Sequence, residues 1–178
     1  MQNPFIIGGR IYLRAIEMKD LETFLCWFND SEVREFLATI YPLNEIRERE
    51  FIEKCYQDKS WVILNILLKE KNLLIGNMSL MRIDWVHRQA EFGICIGEKG
   101  YWNKGYGTEA TKLLLKYGFD TLNLHRIYLF VYEWNQRGIK CYEKAGFKIE
   151  AILRGAKFKD GRYFNVVLMS ILRDEWTK

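Results

Sequence analysis

Residues 102–110, WNKGYGTEA, place two glycines one residue apart at the mouth of an amphipathic run. Glycine inside a helix costs about 0.5–1 kcal/mol relative to alanine. The usual reason to accept that cost is close approach of bare backbone N–H groups to an anion. A nucleoside-triphosphate loop needs a glycine followed at once by Lys and Ser/Thr. Here Lys104 precedes Gly105, and Gly107 runs directly into Thr108, which excludes it. A dinucleotide fingerprint fits the letters from Gly105 to Ala110 but not the context. The preceding strand ends near Gly97, well short of the first glycine. The acidic residue Glu133 falls 28 positions after Gly105, where about 20 are wanted.

A third anion follows from a resemblance. Trp102, Asn103, Lys104, Gly105, Tyr106 and Gly107 are similar to the Q/R-x-x-G-x-G/A signature of the Gcn5-related N-acetyltransferases. In that family the stretch cradles the pyrophosphate of coenzyme A. Trp102 departs from it, standing where glutamine or arginine is usual. Residues 133–147, EWNQRGIKCYEKAGF, resemble the family's second block, with Asn135, Arg137, Tyr142, Lys144, Gly146 and Phe147 matching and Gly138 in place of a common alanine. The resemblance runs from about residue 10 to 172. It is strongest to the branch of spermidine and ribosomal-protein N-terminal acetyltransferases.

Acetyl transfer to an amine needs a neutral nucleophile, fixed donors for the oxyanion and a proton or equivalent for the leaving thiolate. Tyr142 is the candidate acid, two helical turns beyond Asn135 and on the same face; a core tyrosine is the plain alternative. Asn135 either caps its helix or holds the pantetheine arm, or does both. Alternation on the strand around 89–97 puts Glu91, Gly93 and Cys95 on one side, with Phe92, Ile94 and Ile96 on the other. The resemblance implies backbone contacts to the acyl-pantetheine from Ile94, Cys95 and Ile96, with one N–H as oxyanion donor. Glu91 is the candidate base, acting through water, or else a strand-edge glutamate. Lys104, Thr108 and Arg137 complete the expected coenzyme A set, and His87 and His125 lack metal-ligand spacing, so no metal is expected.

The elements that must position these residues are legible from periodicity. A strand spans about 10–16, and a helix opening at Asp20 aligns Leu21, Phe24, Leu25 and Phe28. A short turn of helix follows near 31–36. Asn44 caps a helix over 45–56, with Ile46, Phe51, Ile52 and Cys55 as its apolar set. Three strands follow near 60–69, 73–84 and 89–97, close enough for an antiparallel meander. A helix over about 105–119, a strand at 126–133, a helix from Asn135 to Gly146, and strands near 147–153 and 163–172 close the chain. The strand–helix–strand step implies one parallel pair. The expectation is an α/β fold: a mixed, mostly antiparallel sheet of about seven strands, with helices on both faces, in a single acyl-CoA N-acyltransferase domain over 1–178.

The 178 residues are 49% apolar and 28% charged, ordinary for a globular domain. The net charge of +4, with 23 acidic and 27 basic residues interleaved, argues against a nucleic-acid module. Cys26, Cys55, Cys95 and Cys141 look like small buried hydrophobes in a reducing compartment. No leader pattern and no span-length apolar run point to the cytoplasm. The resemblance leaves a homodimer or larger homo-oligomer open. The acceptor is expected to be a protein or peptide N-terminus, because EFLATIYPLNE has few of the carboxylates a polyamine would need and an α-amine loses its proton more easily. A polyamine, another small amine, or binding of acyl-CoA without turnover are the alternatives.

Overall fold

A computed structural model describes residues 1–176. The chain runs β1 (Ile6–Ile7), β2 (Ile11–Ala15), α1 (Leu21–Asn29), α2 (Ser31–Arg34), α3 (Glu45–Gln57), β3 (Val62–Leu68), β4 (Leu74–Asp84), β5 (Gln89–Ile96), α4 (Tyr106–Asp120), β6 (Arg126–Tyr132), α5 (Gln136–Ala145), β7 (Lys148–Lys159) and β8 (Arg162–Leu172). The strands form one eight-stranded sheet in the order β1-β2-β3-β4-β5-β6-β8-β7. Every neighbouring pair is antiparallel except β5 with β6. The mixed sheet and its parallel pair are as expected. The extra strand is the two-residue β1, too short to show a period, and β7 runs six residues past its expected end.

The parallel pair is short. Gln89, Ala90 and Glu91 face Arg126, Ile127 and Tyr128, yet β5 continues to Ile96 and β6 to Tyr132. Beyond Glu91, β5 stays paired with β4 and β6 with β8. The sheet therefore splits along its middle, and the strand edges inside the split are unpaired.

Side-chain alternation on β5 feeds two cores. Phe92 is buried, and Ile94 and Ile96 partly buried, against α4 and α5, beside Leu114, Tyr142 and Phe147. Cys95 points the other way, into a smaller cluster with Phe24, Trp27, Val33 and Ile52 under α1 to α3. A buried fork ties that side down: Arg14 donates to both carboxylate oxygens of Asp20 at 2.8 and 2.6 Å, and Asn65 donates to the same carboxylate at 2.7 Å.

Three local expectations need correction. In α3 it is Ile52 and Glu48 that are buried, whereas Ile46 is exposed. In α1 Trp27 joins Leu21 and Phe24 as buried, its ring so close to Gly97 that a Cβ there would sit 2.0 Å away, whereas Leu25 and Phe28 pack only partly buried on the same cluster. Of the cysteines only Cys95 is buried; Cys26 is exposed, and Cys55 and Cys141 are partly covered. Burial pushes the Cys95 thiol up to about 12, so it stays protonated at neutral pH.

Candidate active site

Gly105 caps α4 in the left-handed region at φ 82°, and Asn103 before it also has positive φ, 59°. This turn aims the start of a 15-residue helix into the split. The first helical bond of α4 runs from the Glu109 N–H to the Gly105 carbonyl at 3.1 Å. Among the described residues, the N–H groups of Tyr106, Gly107 and Thr108 are left without a partner. All three residues line a cavity of about 810 Å³. Three free donors at the positive end of a helix suit a pyrophosphate. At Gly107 a Cβ would reach the Cys141 sulfur on α5 at 3.4 Å, an ordinary packing contact.

The turn is braced by a residue that the sequence reading missed. Arg10 gives its Nε to one Glu109 oxygen and its backbone N–H to the other, both at 2.8 Å. Its guanidinium also donates to the Lys104 carbonyl at 2.9 Å and lies 4.4 Å from the centre of the Tyr106 ring. A sequence separation of 99 residues hides that link from any local pattern.

The same cavity is bordered by Glu91, Ile94, Cys95, Ile96, Trp102, Asn103, Gly105, Asn135, Arg137 and Tyr142. Lys104 lies off its wall, with its ammonium over the Tyr101 ring at 5.4 Å. Trp102 is accounted for here: its indole N–H donates to the Ile96 carbonyl at 2.6 Å, and the Arg137 guanidinium sits 3.8 Å above its ring. Phe36 flanks the same guanidinium at 4.9 Å. Since the Ile96 carbonyl faces away from β4, strand alternation turns the backbone groups of Ile94 into the split as well. Asn135 acts as the helix cap, accepting from the Gly138 N–H at 2.9 Å. A Cβ on residue 138 would lie 2.7 Å from the Asn135 amide, which accounts for glycine there.

Tyr142 lies on α5 with its ring edge-on to Phe92, 6.0 Å between centroids, and to Phe147, 5.9 Å. It is 9% exposed, and among the described residues its hydroxyl has no hydrogen-bond partner. Burial pushes its pKa above the ordinary phenol value, so it holds its proton. Glu91 enters from the other face of β5 and is ion-paired with Arg82. No group of His, Cys, Asp and Glu among the described residues could hold a metal ion. No described helix is long and apolar enough to cross a membrane.

Residues 10–148 match the family model of the acetyltransferase (GNAT) domain. The chain belongs to the GNAT acetyltransferases. It is 31% identical to the spermidine N(1)-acetyltransferase of Escherichia coli K12 over 93% of this chain and 88% of that protein. It is 39% identical to the spermidine N(1)-acetyltransferase of Vibrio cholerae over 96% and 97%. The crystal structure of the Vibrio cholerae spermidine N-acetyltransferase in complex with CoA and spermine superposes with a TM-score of 0.87 and 30% identity, covering 93% of this chain and 97% of that one. GNAT enzymes take their acetyl group from acetyl-CoA, and the free donors at the start of α4 fit its pyrophosphate.

Proposed function

We propose that this GNAT domain transfers the acetyl group of acetyl-CoA to a primary amine of a polyamine. The split between β5 and β6 carries the chemical part of the reading, because it brings groups from both faces of the sheet to one opening. The first-turn N–H groups of α4 hold the pyrophosphate, and the pantetheine arm lies in the split. The neutral amine attacks the thioester carbonyl, forming the C–N bond. The Ile94 N–H receives the developing oxyanion. As the C–S bond breaks, Tyr142 gives its proton to the departing sulfur and is reprotonated from solvent. The amine's proton leaves through water to Glu91.

The polyamine assignment rests on the spermidine acetyltransferases to which the chain is 31% and 39% identical. It displaces a protein N-terminus as the first choice. One observation keeps a singly charged amine, such as a peptide N-terminus, as the second reading. Among the described residues lining the cavity, Glu91 is the lone carboxylate, against Arg82, Arg137, Lys140, Lys144 and Lys157. The test is thiol release from acetyl-CoA with spermidine, spermine and short peptides as acceptors, with products weighed by mass spectrometry. Acetylated spermidine supports the first reading. Acetylated peptide with untouched spermidine overturns it in favour of the second.

A further inference from the structure

The carboxylate that an incoming ammonium would meet is already taken. Arg82 is ion-paired with Glu91 through one guanidinium nitrogen, and both residues border the acceptor side of the cavity. The pairing follows from a defect in the sheet. Met81 faces Glu91 and Asp84 faces Gln89, so two residues of β4 oppose one residue of β5. Arg82 lies in that bulge with φ 52°, in the left-handed region. Non-glycine residues adopt that region rarely, and those that do often sit at functional sites. Bulges often re-aim a side chain beside a site, and this one turns a guanidinium onto Glu91, the lone acidic group of the wall among the described residues. The Glu91 side chain is 16% exposed and that of Arg82 is 71% exposed. The carboxylate is thus fixed in the wall while its partner is free to swing into water.

We infer that Arg82 stands in for the acceptor's ammonium: it competes for Glu91, and so sets both acceptor KM and the charge the site accepts. This rests on the acetyltransferase reading and deepens it. In the free enzyme the guanidinium occupies the carboxylate. An arriving cationic amine displaces the guanidinium and takes its place. Once displaced, the Arg82 guanidinium stays on the wall of the same cavity, so it disfavours a second positive charge on the acceptor.

The test is steady-state acetylation of spermidine and of a singly charged peptide amine by wild type, Arg82→Gln, Arg82→Lys and Arg82→Glu. An exposed ion pair is a weak competitor, so Arg82→Gln should lower acceptor KM by about two- to fivefold, with kcat little changed. Arg82→Lys restores the charge and should return KM to the wild-type value. Arg82→Glu supplies a second carboxylate and should lower KM for spermidine by about tenfold, with a smaller change for the peptide. In a Glu91→Gln background, Arg82→Gln should have no further effect on KM, since the contested group is gone. An unchanged KM in Arg82→Gln, or a drop that persists without Glu91, overturns the inference while leaving the acetyltransferase reading intact. A wild-type enzyme that acetylates no amine overturns both.

Discussion

Replacing Tyr142 with phenylalanine removes one oxygen and leaves the ring in place. Its packing on Phe92 and Phe147 is unchanged, and among the described residues the hydroxyl has no partner to lose. The melting temperature should therefore move by no more than about 2–4 °C, the value of roughly 1 kcal/mol in a chain of this size. The kinetic effect is separate. A positioned general acid contributes typically about 10²–10⁴-fold. Tyr142 should fall at the lower end. Burial lifts its phenol above an ordinary value near 10, whereas the departing thiol has a pKa near 8.5, so the proton moves uphill unless C–S cleavage pulls it. The expected result is kcat down about 100-fold, with the acetyl-CoA Kd from calorimetry within about twofold of wild type. The raised pKa adds a second signature: wild-type kcat should show no fall assignable to Tyr142 below pH 10. Turnover within threefold of wild type, or a loss that tracks lost acetyl-CoA affinity, would refute proton donation by this residue.

Three further substitutions follow from the geometry. Gly107→Val raises a side chain beside the free N–H groups of α4 and should weaken acetyl-CoA binding by about tenfold or more, the value of roughly 1.4 kcal/mol; calorimetry showing normal affinity would mean that the ligand does not approach this backbone. Trp102→Ala removes the ring beneath Arg137 and the donor to the Ile96 carbonyl, and should raise the acetyl-CoA KM more than it lowers kcat. Glu48→Gln acts on stability alone. Burial without a partner for one oxygen raises the Glu48 carboxyl from 4.5 to about 7. The folded state thus holds a proton that the unfolded chain releases first. The stabilisation is complete below pH 4.5 and lost as pH rises through 7, about 3 kcal/mol in all at roughly 1.36 kcal/mol per pH unit. The glutamine variant should lose that pH dependence and melt higher than wild type at pH 8, and parallel melting curves for the two proteins from pH 4.5 to 8 would rule the linkage out.

What could be read from the sequence was local. The meander from β3 to β5 is written in short-range alternation with brief breaks, and α4 and α5 are marked by capping residues and the C-terminal glycine. The motif residues around Gly105 and Asn135 come together because one parallel crossover joins their elements. The unread features depend on distance or on a defect. Arg10 reaches Glu109 across 99 residues. Arg82 meets Glu91 only because a bulge shifts the β4–β5 register; counting back from the turn at 85–88 would have set the two strands opposite each other, but not located the extra residue. The burial of Glu48 in place of Ile46 was not legible because α3 has a weak apolar period, and the side chains that pack against it decide which face turns inward.

The two departures from the family pattern bear on how such a site changes its substrate. The one polar group of Trp102, its indole N–H, is engaged by the Ile96 carbonyl, and its face holds Arg137. Gly138 lacks the usual methyl, yet that absence lets Asn135 settle onto the helix N-terminus. In both cases the departure is a side chain, and among the described residues the first N–H groups of α4 remain free. Recognition carried by N–H groups at a helix start survives such replacements, because any residue there supplies the same donor. The acceptor side has no such insulation. There the charge is set by Arg82 and Glu91, two side chains that a single base change can each reverse or neutralise. A cofactor site held by backbone and an acceptor site held by side chains would let the amine change while acetyl-CoA is kept, and the Arg82 variants test that division directly.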